Sequence, residues 1–175
     1  MAERVLTDEM LAAIRALFPR YPTRQAVTLP ALHIVLEGLR YVPPQAVVEL
    51  AELLGLAPAQ IQDTLSFYGI FPQDRPHGPT RVWVCRSISC ALRGAEDLLR
   101  ELCAQAGIEP GETTPDGQLT IEIAECLGAC EHAPCLLAND ALHACVSREQ
   151  GAALLDRLRR SGAADNQTVS EPLPR

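Results

Sequence analysis

No run of about eighteen apolar residues occurs anywhere in the chain, so nothing in it reads as a membrane-crossing helix. Basic residues are not in excess either. The formal net charge is −7, which argues against nucleic acid or an anionic membrane as partner, since both reward clustered Lys and Arg. The densest basic group, Arg157, Arg159 and Arg160, reads as a helix C-terminus favoured by the dipole. The first ten residues hold Glu3, Asp8 and Glu9 and no apolar core segment. They predict neither a secretory signal nor a transit peptide, and the expected location is the cytoplasm. A G-x-G-x-x-G fingerprint for a dinucleotide phosphate is missing, and so is a C-x-x-C thiol-redox pair.

What is present is cysteine, seven of them. In a reducing compartment, clustered cysteines are more often metal ligands or catalytic thiols than disulfides. An odd count also disfavours a fully paired framework. Hydrophobic residues make up 47% of the 175, enough for a packed core without disulfides.

The first seventy residues predict four short amphipathic helices, hence a small helical bundle. Met10, Ile14, Leu17 and Phe18 share one face, and Pro19 stops that helix. Leu32, Val35, Leu36 and Leu39 form the next stripe. A third helix starts near Pro44, carries Val47, Leu50 and Leu54, and ends at Gly55. The fourth runs from about Pro58 to Tyr68. Phe67 is expected in the core, with Ser66, Tyr68 and Phe71 as core or docking residues. Residues 71–80 are rich in Pro and Gly and predict a linker.

After the linker the period changes. Arg81 to Val84 predicts a strand, Leu92 to Ala106 a helix, and Leu119, Ile121 and Ile123 a half-buried strand, with a turn-rich stretch over 110–117. Two short strands, from Cys135 to Ala138 and from Leu142 to Val146, predict a hairpin. Ser147 and Gln150 form a capping-box signal for a last helix. The order βαββα implies an α/β layer domain over residues 81–160. Residues 161–175 are polar and contain Pro, as a loose tail does.

Four cysteines fall in two loops, Cys85-x4-Cys90 and Cys126-x3-Cys130, each after a predicted strand. Both loops can therefore leave one sheet edge. Four soft thiolates suit iron–sulfur or zinc. Zinc ribbons favour C-x2-C knuckles around one small ion, and the wider gaps here favour a [2Fe–2S] cluster. A zinc-stabilised binding module and a thiol-redox protein stay open as other classes. Gly128 can turn backbone N–H groups towards sulfur, while Ile88, Leu92 and Leu127 are expected to keep water away. Cys103, Cys135 and Cys145 read as structural residues, although Cys135 lies close enough to Cys130 for ligand exchange. His132 is a weak Rieske-type candidate, because no histidine accompanies Cys85 or Cys90. His33 reads as a partner or core contact and His77 as a solvated linker residue.

The chain resembles the 24 kDa-type [2Fe–2S] subunit of the peripheral arm of respiratory complex I. The resemblance runs from about Arg20 to Leu158. It rests on Tyr21-Pro22, Tyr41-Val-Pro43, Ala51-Glu-Leu-Leu-Gly55 and Ser66-Phe-Tyr68, and more strongly on Val84-Cys-Arg-Ser-Ile-Ser-Cys-Ala-Leu-Arg-Gly-Ala-Glu96, Gly111-Glu-Thr-Thr-Pro-Asp-Gly117, Glu125-Cys-Leu-Gly-Ala-Cys130 and Ala133-Pro134. It implies an α+β chain: a helical docking bundle over 1–70, then a thioredoxin-like domain with one [2Fe–2S] cluster on Cys85, Cys90, Cys126 and Cys130. It also implies an electron-transfer role within an NADH-oxidising enzyme. FMN and NAD(H) then sit on a partner flavin subunit, with other Fe–S subunits nearby and no direct membrane insertion. Related small subunits serve NAD-linked formate dehydrogenases and NAD-reducing or bifurcating hydrogenases. Cys135 departs from the family, which usually has an aliphatic residue there, and Asn139 to Cys145 lacks the usual Tyr or Gly after the turn.

Overall fold

A computed structural model describes residues 4–161; the proposed tail, Ser161 apart, lies outside the described residues. The chain divides into two compact units between Pro76 and His77.

The first unit contains α1 (Asp8–Leu17), α2 (Thr28–Leu39), α3 (Pro44–Leu54) and α4 (Pro58–Phe67). Their boundaries follow local chemistry. Thr7 caps α1 by accepting the Met10 amide at 3.3 Å. Proline occupies the first position of α3 and α4, where no amide partner is needed. Gly55 ends α3 at φ +68°, and the Leu56 amide reaches back to the Ala51 carbonyl at 2.9 Å. Ile14, Leu32, Val35, Leu50, Ile61 and Leu65 make the core. Phe71 is 3% exposed and belongs to it, whereas Phe67 is 79% exposed. The expectation for Phe67 thus fails, and of the two roles open to Phe71 the structure shows the core one. Phe67 is the last residue of α4 and points off the face of Ile61 and Leu65, while the returning chain tucks Phe71 under His33, ring centroids 5.1 Å apart.

The segment 71–80 is shared between the units. The Val42 amide donates to the Pro72 carbonyl at 2.8 Å, and Gly78 donates to Thr120 Oγ1 at 2.7 Å.

Glu49 anchors the start of the described chain. Its carboxylate accepts the Val5 and Leu6 amides, each at 2.9 Å, and the Gln45 amide at 3.1 Å. Partial burial opposes ionisation, but these bonds outweigh it and hold the pKa below the ordinary glutamate value. The folded pKa is depressed, so the unfolded state binds more protons as pH falls. This contribution is full above the unfolded pKa and fades as pH drops through the folded one. Glu49→Ala is therefore expected to destabilise the protein at neutral pH. The gap from wild type should narrow in denaturant melts below about pH 4.

The second unit is a five-stranded sheet in the order β2-β3-β1-β4-β5. The strands are β1 (Thr80–Cys85), β2 (Glu112–Thr113), β3 (Leu119–Ala124), β4 (Leu136–Ala138) and β5 (Ala141–His143). Helices α5 (Ile88–Leu92), α6 (Ala95–Ala106) and α7 (Arg148–Ser161) complete it. β1 and β3 run parallel, and every other pairing is antiparallel. Val82, Val84, Leu119, Ile121 and Leu136 pack with Leu98 and Leu102 of α6 and Leu155 of α7.

The helix expected from Leu92 to Ala106 is interrupted. Gly94 stands at φ +91°, separating the short α5 from α6. β2 occupies the stretch expected to be turns, added antiparallel to β3. The capping box is formed: Ser147 N donates to Gln150 Oε1 at 2.8 Å, and Gln150 N to Ser147 Oγ at 3.3 Å.

Candidate metal centre

The parallel register pairs Cys85 with Ala124, so β1 and β3 end side by side. Each then runs into a cysteine loop. The Arg86 amide donates to the Ala124 carbonyl at 2.9 Å, which ties the two exits together. The C-terminal edge of neighbouring parallel strands is where open α/β sheets place ligands. A third segment arrives at the same edge. β4 is antiparallel to β1 with Val84 opposite Leu136, and the Cys85 amide donates to the Cys135 carbonyl at 3.2 Å.

Five of the seven cysteines gather there. The sulfurs of Cys85, Cys90 and Cys135 lie within 4.8 Å of one another, and all three residues are buried. Cys126 and Cys130 form an exposed pair with sulfurs 3.5 Å apart. The two groups adjoin. Cys85 Sγ donates to the Glu125 carbonyl at 3.0 Å, the Ser87 and Ser89 hydroxyls reach Cys126 and Cys130, and Cys130 lies close enough to Cys90 to feel its charge. Ala95, Ala129 and Ala133 pack around the buried thiols, with Leu127 at the margin.

Backbone geometry prepares these sulfurs. Gly128 stands at φ +79° and its amide donates to Cys126 Sγ at 3.4 Å. That bond, followed by the one from Cys130, lowers the Cys126 pKa. The Cys130 pKa is raised in turn, first by its bond to Cys126 and then by that neighbour's charge. Of this pair, Cys126 becomes the thiolate first. Burial raises the Cys90 pKa and pushes that of Cys135 up to about 12, with proximity to Cys90 adding to the effect.

The donor set fits an iron–sulfur group. Two thiolates on one tetrahedral metal, each about 2.3 Å from it, lie roughly 3.8 Å apart; the Cys126 and Cys130 sulfurs, 3.5 Å apart, nearly meet that spacing. The opposing thiols are buried, soft and free of ion pairs among the described residues.

Some expectations hold and others do not. Ile88 and Leu92 are 75% and 83% exposed, so they do not screen the thiols; Leu127, Ala129 and Ala133 stand nearer. Cys145 lies outside β5, exposed, at φ +53°. Cys103 is buried on α6 with its pKa pushed up to about 11 by burial and then by Glu109 and Glu112, as a core thiol. His132 pairs with Glu131 at 3.9 Å. His77 is half-buried, with Nδ1 2.7 Å from the Gly78 carbonyl. The residue that sequence reasoning undervalued is Cys135. Its only signal was a cysteine where an aliphatic residue is usual, because the strand pairing that carries it to Cys85 is invisible in a linear reading.

The thioredoxin-like [2Fe–2S] ferredoxin family model matches residues 14–159. This chain belongs to that family. Among curated relatives, NADH-quinone oxidoreductase subunit 2 of Thermus thermophilus is 37% identical over 155 residues, covering 87% of this chain and 85% of its own. An NADH-quinone oxidoreductase subunit of Rhizobium meliloti is 37% identical over 162 residues, covering 93% of this chain and 94% of its own. The mitochondrial NADH dehydrogenase [ubiquinone] flavoprotein 2 of Dictyostelium discoideum is 30% identical, covering 89% of this chain and 64% of its own. Among solved structures, an NAD+-reducing [NiFe]-hydrogenase matches with a TM-score of 0.67 and 26% identity. That match covers 80% of this chain and 23% of the hydrogenase chain. The family match and the cysteine cluster together support an iron–sulfur cofactor, and the fold is α+β with a mixed sheet.

Proposed function

We propose that this chain is the electron-transfer subunit of an NADH:quinone oxidoreductase of the complex I type, with one [2Fe–2S] cluster held by Cys85, Cys90, Cys126 and Cys130. The observation that carries this reading is the convergence of two cysteine loops at the shared end of β1 and β3. Two relatives at 37% identity, matched along most of both chains, support the choice of complex.

When bound, the cluster supplies one-electron chemistry. The chain's own part is to hold and surround it. Cys85 and Cys90 grip from the buried side and Cys126 and Cys130 from the exposed side. The Gly128 amide orients Cys126. An exposed edge beside buried ligands suits electron exchange with a neighbour, since transfer needs closeness and not a substrate pocket. The donor is the flavin of a partner subunit that oxidises NADH, with further Fe–S subunits as neighbours. No helix among the described residues is long and apolar enough to cross a membrane. The proposed setting is the cytoplasmic side of a membrane-attached complex.

A second reading, the equivalent subunit of an NAD-linked hydrogenase or formate dehydrogenase, draws on the hydrogenase likeness. Anaerobic assembly with the NADH-oxidising flavin subunit tests both. NADH is expected to produce the EPR signal of a reduced [2Fe–2S] centre in this chain, with the electrons passing on to quinone in the full complex. Delivery to or from hydrogen or formate would select the second reading. No reduction by NADH would refute both.

A further inference from the structure

Cys135 has no place in a four-ligand set, yet its sulfur lies 3.7 Å from Cys90 Sγ, with both side chains buried. We propose that Cys135 is a tuning residue whose thiol donates a hydrogen bond to Cys90 Sγ and raises the reduction potential of the centre that Cys90 helps to hold. The proposal rests on Cys90 being a ligand.

The direction of the bond follows by elimination. Between two free thiols either sulfur can donate. A thiol bound to metal has given up its proton, so only Cys135 retains one to share. Its position is also set by the backbone. The Cys135 carbonyl accepts the Cys85 amide at 3.2 Å, fixing the residue at the first step of the β1–β4 ladder. The Cys135 amide bonds towards Cys90 Sγ as well. Two donors from one residue thus converge on one sulfur.

A bond to an ionised acceptor is stronger than a neutral one. The reduced centre carries more negative charge on its sulfurs, so a donor aimed at one of them stabilises the reduced state over the oxidised and shifts the potential upward. An aliphatic side chain at 135 fills the same space without a proton to donate. The bond is therefore separable from packing.

The test compares loaded wild-type protein with Cys135→Val, Cys135→Ala and Cys135→Ser. All are expected to keep wild-type iron and sulfide content. The Val and Ala variants should titrate at a more negative potential. In pulsed EPR of the reduced protein they should lose one exchangeable proton coupling that disappears from wild type in deuterium oxide. The Ser variant, which keeps a donor, should retain that coupling and titrate above Val and Ala. A Val variant with the wild-type potential and coupling would show that Cys135 only packs. Loss of iron from both Val and Ala would make Cys135 a ligand. Either result overturns the proposal. Failure of the ligand assignment itself would appear separately, as wild-type protein without about two irons and two sulfides per chain.

Discussion

Replacing Cys126 by serine is expected to remove most of the iron from the purified protein while leaving its fold intact. Cys126 is exposed and lies outside the packed core, so the change opens no cavity. What it removes is a sulfur whose pKa is lowered, first by the Gly128 amide bonded to it. A serine hydroxyl is a harder donor and stays protonated at neutral pH, so a soft metal centre loses one of its four anchors. Changes in the groups that merely orient metal ligands cost 10- to 100-fold in affinity, and loss of a ligand should exceed about 100-fold on that scale. The check is iron and acid-labile sulfide per chain, with circular dichroism confirming the fold. Cys103→Ser is the control. Its thiol sits on α6 among Leu98, Leu102 and Ala106, away from the sheet edge, and iron content should not change. Full loading of the Cys126→Ser protein would remove Cys126 from the ligand set.

The largest effect on stability is expected from Ile121→Ala. Ile121 is fully buried at the middle of β3, paired with Val82 of β1 on one side and Glu112 of β2 on the other. Truncating such a residue loses its transfer free energy and leaves a cavity that a sheet interior cannot close, about 2–5 kcal/mol together. Ile123 lies on the same strand two residues on and is 39% exposed, so Ile123→Ala should cost under about 1 kcal/mol. Denaturant melts of metal-free protein can follow both, because Trp83, the single tryptophan, lies in β1 and reports on this unit. Both residues lie on one face of β3, so equal losses for the two variants would contradict the fall in burial from its middle towards its C-terminal end.

Much of the architecture was legible because local chemistry and global fold agree. Pro44 and Gly55 bracket α3 as the sequence suggests, Ser147 and Gln150 start α7, and Leu119 to Ala124 is a strand next to β1. The misses share a different origin. Gly94 breaks what looks like one helix because its φ of +91° is a property of the fold, and apolar spacing runs straight across the break. β2 is two residues long and exists only because β3 offers an edge. Phe67 is exposed and Phe71 buried because the outcome depends on where the chain returns after α4. Leu92, read as a shield for the thiols, sits on the five-residue α5 and faces outward.

The metal centre divides in the same way. Loop spacing pointed to Cys85, Cys90, Cys126 and Cys130, because each loop follows a strand and parallel strands end at one edge. Nothing in that logic reaches Cys135. It joins through an antiparallel strand whose register, Val84 against Leu136, is a tertiary fact. The residue that resemblance marked as a departure is thus the one that geometry places beside Cys90.

The central claim is that two turns of chain bring sulfur ligands around a pair of iron ions. Anaerobic purification followed by iron, zinc and sulfide analysis, with EPR before and after reduction by one electron, tests it most directly. The account predicts about two irons and about two sulfides per chain, silent when oxidised and showing a single half-spin signal when reduced. One zinc per chain, colourless and without sulfide, would contradict it.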